Sequence, residues 1–71
     1  MTDKQQQHTE DACRRLLQLH MNPRTANEWY TVLEAANLLK YLGAYTPEDR
    51  DTVDGIRERY ESKRYTNLPE G

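Results

Sequence analysis

Apolar positions along the 71-residue chain recur at three- and four-residue intervals, and no stretch alternates apolar with polar over strand length. The pattern predicts an all-α protein, a small three-helix domain with helices over about 9–20, 26–42 and 47–64. Two breaks separate them, Met21-Asn22-Pro23-Arg24 and Leu42-Gly43-Ala44-Tyr45. Residues 1–71 read as one helical domain, with 1–7 and 66–71 as frayed tails.

The first helix places Ala12, Cys13, Leu16, Leu17 and His20 on one face, widened by Leu19, with Arg14, Arg15 and Gln18 opposite. Thr2 and Thr9 are its two candidate starts. Asn22-Pro23 ends it, because the residue before proline avoids the helical region.

The second helix has the clearest start. Thr25-Ala26-Asn27-Glu28 is a capping box, in which the Thr hydroxyl accepts from the Glu28 amide and the Glu28 carboxylate reaches back. Gly43 suits the position just past its end. Trp29, Val32, Leu33 and Ala36 form one apolar stripe, and Ala35, Leu38, Leu39 and Leu42 a second. A helix apolar on two faces is covered on two sides, so this is the central helix, and the second stripe is offered to another helix or to a second copy. The third helix opens Thr46-Pro47-Glu48-Asp49, a cap, a proline at the first helical position and acids at the positive dipole end. Its apolar seam is narrow: Val53, Ile56 and Tyr60.

Composition makes the core thin. Leu, Ile, Val and Phe together are 11 of 71 residues, below the roughly 20% at which disorder becomes an option. Net charge is only -2, however, and five Tyr and one Trp bury large areas, so a folded, core-poor domain is expected. Such a balance of burial against chain entropy sits near zero, and a homodimer or another partner would tip it. No run of apolar residues is long enough for a membrane helix, and the polar Met1–Glu10 segment does not resemble a signal peptide. One cysteine, Cys13, makes no internal disulfide, and a cytoplasmic location is the expectation.

Candidate chemistry is sparse, and the chain is not expected to be an enzyme. Cys13 and His20 share a helix face about 10 Å apart along the axis, too far for a nucleophile–base hydrogen bond. His8, Cys13, Glu10 and Asp11 match no compact zinc spacing, so no metal is expected. Asp49, Asp51 and Gly55 have the flavour of a calcium loop but fall within helix. The glycines are isolated, so there is no phosphate loop and no cofactor is expected.

What remains is recognition. Tyr30, Glu34, Asn37 and Tyr41 form a third stripe on the central helix, away from its apolar faces, and Tyr45 follows Gly43. Tyrosines on a polar face suit interface anchors. The end of the third helix mixes Arg57, Arg59, Lys63 and Arg64 with Tyr60 and Tyr65. The expected function is a small cytoplasmic protein-interaction module, a regulator, inhibitor or adaptor of the kind common among bacterial and phage accessory proteins. It would bind a larger protein through Tyr30, Tyr41, Tyr45, Arg57, Arg59 and Arg64. The alternative is a nucleic-acid-associated regulator using the basic half of the third helix. A helix-turn-helix fits poorly, because Glu48, Asp49 and Asp51 would stand where that motif meets phosphates.

Overall fold

In the computed structural model, which describes residues 2–67 and their side chains through residue 62, three helices follow in order: α1 Asp3–Leu19, α2 Ala26–Tyr41 and α3 Pro47–Asn67. No strand occurs among the described residues. The middle helix packs against both others, as its two apolar faces require. No helix of the described residues is long and apolar enough to cross a membrane.

Each helix starts on a reciprocal cap. The α1 cap forms at Thr2, the earlier of the two candidate starts, so the helix begins well before residue 9: the Gln5 amide donates to Thr2 Oγ1 at 3.2 Å, and the Thr2 amide to Gln5 Oε1 at 3.1 Å. Residues 3–7, expected in a frayed tail, are therefore the first turns of α1. Gln6 also ties this end down, its Nε2 donating to the Leu42 carbonyl at 3.4 Å, one of the acceptors left over at the end of α2. In the α2 box the Glu28 amide donates to Thr25 Oγ1 and the Thr25 amide to Glu28 Oε2, both at 3.2 Å. Accepting from the amides of Arg24 and Thr25 holds the Glu28 carboxyl below the usual glutamate range. Thr25→Ala removes the hydroxyl that accepts from the Glu28 amide and is expected to lower stability by about 0.5–2 kcal/mol. A thermal melt followed by helical circular dichroism measures it, and an unshifted midpoint would show that this box does not hold α2.

Helix α2 ends in a Schellman motif. The Ala44 amide donates to the Leu39 carbonyl at 2.9 Å and the Gly43 amide to the Lys40 carbonyl at 3.0 Å. This needs Gly43 at φ +71°, where a side chain would be strained. Helix α3 opens with Pro47, and its cap uses aspartate: the Asp49 amide donates to Thr46 Oγ1 and the Thr46 amide to Asp49 Oδ2, both at 3.1 Å.

The core is small. Cys13 and Leu17 from α1, Val32, Ala35, Ala36 and Leu39 from α2, and Val53 and Ile56 from α3 are buried. Ala35 and Leu39, from the stripe offered in the sequence to a helix or a second copy, are thus covered within the chain. The seam of α3 is as expected, with half-buried Tyr60 stacked on Trp29 at 5.7 Å between centroids. The face of α1 is not. Ala12 is exposed, Leu16 is 37% exposed and Leu19 71%. Periodicity placed Arg14 on the solvent side, but it turns toward α3 and pairs with Asp49. That orientation carries Ala12 and Leu16, each two residues away, roughly 160° around the helix from the α3 side.

Candidate interaction surfaces

Tyr30, Glu34, Asn37 and Tyr41 are all exposed on the side of α2 opposite its buried residues. The ridge stays outside because Val32, Ala35, Ala36 and Leu39 fix the rotation of the helix. Tyr30 is 57% and Tyr41 86% exposed. The two rings stand eleven residues apart, about 16 Å along the axis. Neither has a hydrogen bond or ring contact to another side chain among the described residues.

Tyr45 lies elsewhere. It is half-buried against the core, with Lys40 Nζ 4.9 Å above its ring. Burial pushes its phenol above the usual range, and the nearby carboxylates of Asp54 and Asp49 push the same way. It belongs to a groove between α2 and α3 whose floor is Trp29, Leu33, Tyr45 and Val53, flanked by Lys40 and Arg57. Arg57 Nε donates to Glu61 Oε1 at 3.0 Å, and Arg50 lies 4.0 Å from Asp54. The positive charge on this wall of α3 is therefore largely matched along the helix itself. Arg59 has a different contact, donating to the Met21 carbonyl at 3.3 Å in the α1–α2 connection. The Arg64 side chain lies outside the described residues, as do those of Lys63 and Tyr65.

Of the six residues singled out in the sequence, the five whose side chains are described therefore do not form one patch. Tyr30 and Tyr41 share the α2 ridge, Tyr45 and Arg57 share the α2–α3 groove, and Arg59 reaches the α1–α2 connection. The sequence reading missed the polar network inside the bundle. Arg14 Nε and Nη2 donate to Asp49 Oδ1 and Oδ2 at 3.2 and 3.1 Å, and Nη2 also to the Ala44 carbonyl at 3.0 Å. Asp49 is only 7% exposed. The Arg14 hydrogen bonds, followed by those of Thr46, hold its carboxyl below the usual range against the opposing effect of burial. This network joins α1, the α2–α3 connection and the start of α3.

Cys13 is not placed as an activated nucleophile. Cys13 is buried in the core, and burial pushes its thiol upward, away from the reactive thiolate. His20 Nδ1 donates to the Leu16 carbonyl at 2.9 Å, closing its own helix end. Among the described residues no group of three His, Cys, Asp or Glu side chains is placed to hold a metal ion. Comparison with known proteins finds no matching family model, no matching curated protein and no matching solved structure.

Proposed function

We propose that the chain is a small cytoplasmic interaction module that regulates, inhibits or adapts a larger protein by occupying part of its surface, with the α2 ridge as its contact. The supporting observation is the pair of tyrosines at 57% and 86% exposure on one helix side of a protein whose own core is starved of large apolar groups. A chain that needed these rings for folding would bury them. Held outward on a capped helix, each offers a rigid ring and a hydroxyl at low ordering cost. Glu34 and Asn37 between them supply polar contacts that fix orientation. The basic end of α3 supports a nucleic-acid reading less well, because Arg57 is matched by Glu61 and Arg59 is engaged with a backbone carbonyl.

A photo-crosslinking amino acid at position 41, introduced in the native cell, identifies the partner. With the purified pair, Tyr41→Ala is expected to weaken binding by about 1 kcal/mol or more, the size of an interface anchor, while helicity stays unchanged. Equal affinity of the variant and the parent chain would remove the ridge from the contact. Affinity falling steeply with salt would favour nucleic acid instead.

A further inference from the structure

We infer that the groove between α2 and α3 is a docking site for a short segment of a partner protein in which a carboxylate stands beside a large apolar side chain. The groove holds about 530 Å³, ample for one such side chain and within the size range of ligand sites. On its floor Trp29, Leu33 and Tyr45 are each half-buried, so part of each is left uncovered by the bundle.

Charge selects the occupant. Lys40 follows Leu33 by seven residues and Trp29 by eleven, so it stands in the same stripe of α2 as the floor. Its Nζ lies 4.9 Å above the Tyr45 ring and has no ion-pair partner among the described residues. On α3, Arg57 and Arg50 lie about 40° and 60° around the helix from Val53. Glu61 and Asp54, the carboxylates paired with them, lie about 80° and 100° away in the same direction. The cations therefore line the inner side of this wall and the acids its outer rim. Both pairs are exposed, and such pairs are weak enough to exchange one carboxylate for another. An apolar side chain seated on the floor brings its neighbouring carboxylate between Lys40 and Arg57. A basic neighbour meets those two cations instead. Single-stranded nucleic acid, which also uses cations and aromatic rings, fits less well. Tyr60 already stacks on Trp29 at 5.7 Å, and a polyanion following the groove runs along Asp54 and Glu61.

Trp29 is the single tryptophan of the chain, so its fluorescence reports on the groove directly. The probe is the end-capped peptide Gly-Asp-Phe-Leu-Asp-Gly, titrated into the full chain up to about 1 mM. A saturating change of fluorescence is expected within that range. The same peptide with Lys in place of Asp should bind at least about tenfold more weakly, and one with Ser in place of Phe and Leu should not saturate. Lys40→Glu should weaken the acidic peptide at least about tenfold with helicity retained. The comparison of acidic with basic peptide uses the parent chain alone, so it decides the matter even if Lys40→Glu fails to fold. Absence of saturation overturns the inference, and so does equal affinity for the two peptides or an acidic peptide indifferent to Lys40→Glu in a folded chain. Tighter saturation by oligothymidylate than by the peptide overturns it in favour of nucleic acid. The tyrosine-ridge reading is tested separately, since it rests on position 41 and on the captured partner.

Discussion

Arg14→Met is expected to destabilise the domain by about 3–5 kcal/mol, the cost of leaving a buried charge without its partner. The asymmetry of the pair sets the size of the effect. The Asp49 side chain is 10% exposed and fixed at the start of α3, whereas that of Arg14 is 36% exposed and can swing out. Removing the arginine strands the carboxylate with only its Thr46 contacts. Asp49→Asn keeps an acceptor for the Thr46 amide and leaves Arg14 free to reach water, so it should cost about 1–2 kcal/mol. The double variant should cost less than the two single effects added together. Urea titrations, run in stabilising sulfate so that the weakened variants retain a folded baseline, measure all three. If Asp49→Asn proved as damaging as Arg14→Met, the capping contact rather than the ion pair would dominate this network.

The same pair sets the acid limit. The Asp49 carboxyl titrates below its unfolded value near 3.9, chiefly through the Arg14 hydrogen bonds. A depressed folded value contributes stability that is fully present above the unfolded value and is lost as pH falls through the folded one. Stability of the parent chain should therefore be nearly flat between about pH 5 and 8 and fall below about pH 4. Asp49→Asn should flatten that acid limb, and the difference between the two curves isolates this carboxylate from Glu28, whose carboxyl is also lowered.

The helix starts were legible because capping is local chemistry. Thr25 with Glu28, and Thr46 with Pro47, carry their signals within four residues, and both helices begin where those signals stand. The Thr2–Gln5 box carries the same signal, but the polar run behind it has no apolar stripe, and periodicity pulled the expected start toward residue 9. Rotation of α1 was harder to read. Cys13 with Leu17, and Ala12 with Leu16 and Leu19, are overlapping stripes of similar quality. What separates them is a bond between residues 35 apart in sequence, Arg14 with Asp49, which no local pattern contains. The tyrosine ridge was legible because Tyr30, Glu34, Asn37 and Tyr41 lie outside both apolar stripes of α2. Tyr45 and Arg57 were grouped with it on residue type alone, and three-dimensional placement separates them.

Leu39→Ala is expected to unfold the chain at room temperature, because its cost of about 2–5 kcal/mol matches the total stability a core of this size can supply. Leu39 is fully buried on the central helix, and among the described residues only Leu17 and Ile56 join it as buried side chains larger than valine. Cys13, Ala35 and Ala36 are too small to collapse into the space it leaves, so the cavity term adds to the lost transfer energy. Truncation at position 39 spares the Schellman hydrogen bond, which uses only its carbonyl, so the effect reports side-chain packing. Asn37→Ala, two residues away on the exposed ridge, is the comparison and should stay within about 0.5 kcal/mol of the parent chain. Circular dichroism at room temperature separates the two outcomes directly. A Leu39→Ala chain that stays helical and melts cooperatively would mean that the bundle is held chiefly by its caps and by the Arg14–Asp49 network, with Leu39 contributing far less than its burial implies.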